Sequence, residues 1–198
     1  MSDHKRYLGD LIGGSLMLRE SQILAGLMLK DPTPSEWNEA IVDENILQKP
    51  SAASAKRNAS TIKKRLSGLN NRFLEKLAYS GSDEASQLMF AATLINSPLL
   101  ADFMRTVVVD AKQMYRESLT VDDWHHFWQD RSRLYPALAE MSEASTYKVS
   151  QVAFKVIADA GYIDSTKNKQ LLNVYVSQDV RELLSEMDHD DVLQAMEL

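Results

Sequence analysis

Lys49, Lys56, Arg57, Lys63, Lys64, Arg65 and Arg72 all fall between Asn45 and Leu74, a window with no aspartate or glutamate. The window carries +7 in a chain whose formal charge is -6, which leaves -13 for everything outside it. Closely spaced ammonium and guanidinium groups neutralise phosphates and release their counterions. A charged run is more commonly a solvated helix face, but such a face mixes its signs, and here the acidic i,i+4 partners are missing. Ala55, Ala59, Ile62, Leu66 and Leu69 recur at steps of four and three, which is one buried stripe of an α-helix. Lys56, Arg57, Ser60, Lys63, Lys64 and Ser67 then gather on the opposite side, with the small Ala53 a turn earlier. Lys49 and Ser54 stand at the start of this helix. The predicted primary contacts for nucleic acid are therefore Lys49, Ser54, Lys56, Arg57, Ser60, Lys63 and Lys64.

A thinner basic face lies on a later helix, where Tyr147, Lys148, Gln151 and Lys155 project together. Tyr147 is the better candidate for stacking on a base, because Trp37, Trp124 and Trp128 each lie in an amphipathic pattern that favours core or subunit contact. Other chemistry finds little support. Asp122, Asp123, His125 and His126 share about one helical turn, but adjacent histidines diverge around a helix and no His-x-x-x-His pair with a third ligand accompanies them. The chain has no cysteine, which excludes disulfides and thiolate metal sites. Gly9, Gly13 and Gly14 lack the Lys-Ser/Thr that completes a phosphate loop, and no serine stands in a nucleophile elbow. The sequence predicts no catalytic residue, no metal, no cofactor and no small-molecule substrate.

The elements that must position these residues read as helices throughout. Hydrophobic content of 44% and charged content of 25% are those of a globular protein rather than a disordered one. No apolar stretch is long enough to span a bilayer and no signal peptide is evident, so the expected location is cytoplasmic, with no membrane partner. Thr33 and Glu36 have capping-box spacing with Pro34 between them, which predicts a helix carrying Trp37, Ala40 and Ile41 inward and ending near Ile46. Pro50 and Ser51 open the basic helix. These two helices resemble a helix-turn-helix pair. Further helices are predicted to bury Phe73, Leu74 and Leu77; then Leu88, Met89, Ala92 and Ile95; then Leu99, Phe103, Val107, Ala111 and Met114. Thr120 with Asp123 opens the Trp124 segment, Ser142 or Ser145 the helix of Val149 to Ala160, and Ser177 that of Val180 to Met187. Residues 171–176 read as a short strand element, and the acidic tail from Asp188 as a fraying end. The fold class is all-α in two packed helical subdomains, 1–81 and 82–198.

Glu20 to Ala25, the run Val42-Asp43-Glu44-Asn45-Ile46-Leu47-Gln48-Lys49, Ser54 to Arg57, Asp123-Trp124 and Ala158 to Asp164 together resemble the BrxA family of bacteriophage-exclusion (BREX) systems. The order and spacing of these segments carry the resemblance, which covers about Leu8 to Leu184. It implies an all-helical fold similar to the antitermination protein NusB, DNA binding without an assigned catalytic activity, and a role in phage defence. The expected partners are double-stranded DNA and other BREX proteins. RNA binding, or docking of the basic helix on an acidic partner protein, stands as the alternative.

Overall fold

The computed structural model describes the backbone of residues 3–197 and the side chains of residues 5–197. Short helix α1 (Asp3–Leu8) and a 3-10 turn (Leu11–Gly13) lead into α2 (Leu18–Met28) and α3 (Pro34–Asn38), which continues as a π turn through Glu39–Asp43. The basic helix is α4 (Ala52–Leu66), followed by α5 (Asn71–Tyr79) and α6 (Ser82–Asn96). Next comes α7 (Pro98–Phe103), a second π turn (Met104–Val108) and α8 (Val109–Gln113). The chain closes with α9 (Val121–Leu134), α10 (Pro136–Ala139), α11 (Glu143–Asp159), α12 (Gln178–Glu186) and α13 (Asp190–Met196).

Local signals start these helices where expected. Thr33 and Glu36 form a reciprocal capping box at α3, and Thr120 and Asp123 do the same at α9. Ser51, Asn70, Ser97, Ser142 and Ser177 each accept a backbone N–H of the first turn that follows. Each such cap satisfies a donor that the helix itself leaves open. One contiguous apolar core, running from Tyr7 to Met196, joins the elements, with α2 packed on α5 and α4 and with α6 touching α2, α4, α5, α12 and α13. Within it, Phe103 meets Trp124, Phe127 and Phe154 at centroid distances of 4.9, 5.1 and 5.9 Å. Such edge and tilted pairs add to area burial.

Four expectations change. The helix from Pro98 does not keep Met114 on its inner face: the π turn at Met104–Val108 adds a residue to one turn, so Val108 is buried and Met114 is 73% exposed, while Val107 is half-buried against the core. A π turn rotates the helix beyond it, and a 3.6-residue projection cannot register that. The tail does not fray. Val192, Ala195 and Met196 of α13 are buried, and the Tyr162 hydroxyl donates to the Met196 carbonyl at 2.7 Å. At the other end, Tyr7 of α1 stacks on Tyr135 with centroids 4.2 Å apart and donates to Asp102 at 2.7 Å. Residues 171–176 make no sheet among the described residues; the isolated bridge of Leu171 to Ile163, next to that of Gln170 to Ser118, is the strand character they show. The connection from the first π turn to α4 spans residues 44–51, longer than the three or four residues of a helix-turn-helix.

Gly9 closes α1 against the end of α6. Its φ is +60°, and a Cβ there would run into the Asn96 carbonyl oxygen. Gly9→Ala is expected to cost about 2–4 kcal/mol, combining left-handed backbone strain with the collision, read as a lower urea midpoint with unchanged m-value.

Candidate nucleic-acid interface

The apolar stripe of α4 is fully inside, with Ala55, Ala59, Ile62 and Leu66 each at 1% exposure or less. Two alanines in that stripe let α4 approach α2 and α6 closely, and burying it fixes how the helix is rolled about its axis. Lys56, Arg57, Ser60, Lys63, Lys64 and Ser67 are consequently exposed on one face. Lys56 and Lys64 are eight residues apart, about 12 Å along the helix at ~1.5 Å per residue. That is three to four base-pair steps of ~3.4 Å.

The cations of this window have different roles. Among the described residues no carboxylate lies within ion-pair distance of Lys56, Arg57 or Lys63. Lys63 instead holds its ammonium 4.4 Å from the centroid of the half-buried Trp37 ring of α3, a cation–π contact that leaves the ammonium at the surface. Lys64 is 62% exposed with Asp10 Oδ1 at 3.6 Å, a pair too loose and wet to hold it. Lys49 is engaged, donating to Glu20 at 2.6 Å. Burial alone would raise the Glu20 carboxyl, but the Lys49 ammonium bonded to it holds it below its ordinary value. Lys49 therefore anchors the turn before α4 to α2, and Asn45 supports it by exchanging two hydrogen bonds with the Lys49 backbone. Ser54 is half-buried, with its N–H on Ser51 Oγ at 3.2 Å. Arg72 pairs with Glu186 of α12.

Arg65 turns inward. Only 1% exposed, it donates from Nη1 to the Ser15 carbonyl and from Nη2 to the Gly14 carbonyl, both at 2.6 Å. Burial pushes its pKa down to about 10, so the guanidinium is still charged at neutral pH.

On α11, Tyr147, Lys148, Gln151 and Lys155 are exposed as predicted, and Tyr147, Gln151 and Lys155 share a groove of about 360 Å³ with Phe154, Thr166 and Lys169. Lys155 is bonded to Asp159 at 2.5 Å, so this face presents less free charge than α4. Lys169, from the loop opposite, was not anticipated; no pattern in the sequence brings it to α11. Nor does any pattern bring Lys5 and Arg6 of α1 to the far side of a groove from Lys64. A helical reading of the cationic start, Lys5-Arg6-Tyr7, would have been the one available signal. His125 and His126 are exposed and Trp124 is buried, with the Asp123 carboxyl gripped by Arg116 at 2.7 Å.

The site and the fold define a class: an all-helical protein that presents one cationic helix face on which Lys56, Arg57 and Lys63 have no carboxylate partner among the described residues. The profile of the BrxA family matches residues 5–188, and the chain belongs to that family. It is 36% identical over 197 residues to the BREX protein BrxA of Escherichia coli O9:H4 (strain HS), covering 100% of this chain and 92% of that one. It is 31% identical over 193 residues to the BREX protein BrxA of Paramagnetospirillum magneticum, covering 98% and 97%. A crystal structure of an uncharacterized protein from Magnetospirillum magneticum superposes with a TM-score of 0.86 at 31% identity, covering 97% of this chain and 98% of that one.

Because Arg65 is itself buried and supports the backbone carbonyls of Gly14 and Ser15, its removal acts on stability and not on the exposed face. Arg65→Met is expected to lower unfolding free energy by about 3 kcal/mol, with Lys63→Ala and Lys64→Ala each within about 0.5 kcal/mol of wild type, all measured by urea denaturation.

Proposed function

We propose that the protein is a non-catalytic, duplex-DNA-binding component of a bacterial BREX anti-phage system. Membership of the BrxA family supports the BREX assignment, since its relatives carry that name. The observation that carries the DNA assignment is the exposed face of α4. Lys56, Arg57, Lys63 and Lys64 stand on it together, and among the described residues the one carboxylate in ion-pair reach of them is Asp10, 3.6 Å from Lys64. The remaining charge of the chain is negative, so it confines the attraction to that ridge.

Phosphate contacts fix position and carry no sequence information. Ser60, small and polar between the two pairs of cations, lets the backbone come close. Lys49 and Ser54 act in this reading by holding the turn before α4, and Tyr147, Lys148, Gln151 and Lys155 form a weaker, second contact. Other BREX proteins are the natural partners of the surfaces that DNA leaves open. No helix among the described residues is long and apolar enough to cross a membrane.

Four phosphate contacts give a slope of log affinity against log salt of about -4, at ~0.9 per phosphate. Fluorescence anisotropy of a labelled duplex at a series of salt concentrations measures it, and a flat response would remove the mechanism. Reversing Lys56, Arg57, Lys63 and Lys64 to glutamate is expected to abolish duplex binding without moving the thermal midpoint by more than a few degrees. Duplex and structured RNA compared in the same assay separate DNA from RNA as the preferred ligand.

Trp124 and Trp128 are buried while Trp37 is half-buried beneath Lys63. Binding of DNA on α4 should therefore change the emission of Trp37 specifically, and Trp37→Phe should eliminate the change while keeping most of the affinity.

A further inference from the structure

Beyond the C-terminal end of the α4 ridge the surface opens into a groove of about 760 Å³. Lys5 and Arg6 of α1 line one side, Lys64 the other, and Leu8, Ile95 and Pro98 supply an apolar lining between them. The groove is built before any ligand arrives. Asn96 Oδ1 accepts the Asp10 N–H at 2.8 Å, Ser97 Oγ donates to the Leu8 carbonyl at 2.9 Å, and Gly9 allows the close approach of α1 to α6. These bonds tie the end of α1 to the end of α6, and such preorganisation lowers the entropy lost on binding.

The lining identifies the ligand. A bare phosphate is too small for this volume and would leave Leu8, Ile95 and Pro98 uncovered. Asp10 also lines the groove, and its carboxylate repels a phosphate but can accept from the amino group of a base. Cations at the rim, an apolar bed and an acceptor beside it match a nucleotide: phosphate on the rim, base on the bed. Ligand sites of 300–1,000 Å³ commonly combine apolar walls with a few polar groups of this kind. Lys64 belongs to both the ridge and the groove, so a strand lying on α4 can pass directly into it.

We propose that the groove between α1, α4 and the α6–α7 junction takes one unpaired nucleotide of DNA at the end of a duplex held along α4. Its phosphate lies on Lys5 and Arg6, away from the Asp10 carboxylate that stands 3.6 Å from the Lys64 ammonium, and its base on Leu8, Ile95 and Pro98. The site rests on the reading of α4 as the duplex-binding face, and makes DNA ends or junctions the preferred substrate.

The test compares a blunt duplex, the same duplex with a three-nucleotide overhang of either polarity, and the free trinucleotide. Anisotropy is expected to show about tenfold tighter binding of one overhang than of the blunt form. Lys5→Ser with Arg6→Ser, or Ser67→Trp alone, should remove that preference and leave blunt binding within about twofold. Ser67 is exposed and lines the groove, so tryptophan there obstructs the space without altering charge or core. Lys56→Glu with Arg57→Glu should weaken blunt and overhang binding alike while ligand-detected NMR still shows the trinucleotide in contact with the protein. That contact should vanish in Ser67→Trp, which separates failure of the groove from failure of the α4 face. Equal affinity for blunt and overhang DNA, or indifference of both overhang binding and trinucleotide contact to Ser67→Trp, would overturn the proposal. So would an equal loss of blunt and overhang affinity in the Lys5, Arg6 variant, or tighter binding of a ribonucleotide overhang.

Discussion

The orientation of α4 depends on a buried guanidinium. Arg65 passes beneath the helix and fills the carbonyls of Gly14 and Ser15. Those carbonyls sit in the non-helical segment between the 3-10 turn and α2, where no helix ladder supplies them with donors. Because Arg65 and the alanine stripe both point inward, neither a roll of α4 about its axis nor a slide along it is open without leaving carbonyls unpaired. The outward direction of Lys63 and Lys64, its immediate neighbours, is a consequence. One arginine of the basic window thus gives up its availability so that the lysines beside it keep theirs.

Ion pairs elsewhere sharpen this arrangement. Arg72 and Lys76, on α5, meet Glu186 and Asp179 of α12, and Lys76 also meets Glu84 at 3.4 Å. The Lys76 ammonium bonded to Asp179 holds that carboxyl below its usual range. Exposed pairs of this kind contribute little to stability. Their larger effect is on the field: Arg72 and Lys76 on α5 are offset by carboxylates of α12 and α6, whereas Lys56, Arg57 and Lys63 on α4 have no such partner among the described residues. A chain with a net charge of -6 can in this way keep one strongly positive ridge.

The two π turns show how a small backbone change redirects side chains. At Met104–Val108 the extra residue brings Met104 and Val108 into the core and leaves Met114 and the following Tyr115 in solvent, the latter 93% exposed. At Glu39–Asp43 the widened turn buries Ala40 and Ile41 just before the chain leaves helix and turns toward α4. Neither turn is announced by proline or glycine within it.

Local features of this chain were legible without coordinates because they act over a few residues. The capping boxes at Thr33 and Thr120, the Ser51 cap and the period of Ala55, Ala59, Ile62 and Leu66 depend only on spacing along one helix, and so does the side on which Lys56, Arg57, Lys63 and Lys64 emerge. Which charges remain available was not legible, because Glu20 reaches Lys49 from 29 residues away and Glu186 reaches Arg72 from 114. The docking of α13, the inward turn of Arg65 and the placing of Lys5 and Arg6 across a groove from Lys64 are likewise set by contacts between distant segments. A sequence by itself determines the faces of its helices, since neighbouring residues share one geometry; only tertiary structure decides which of those faces meet, since that depends on the burial of many remote side chains at once.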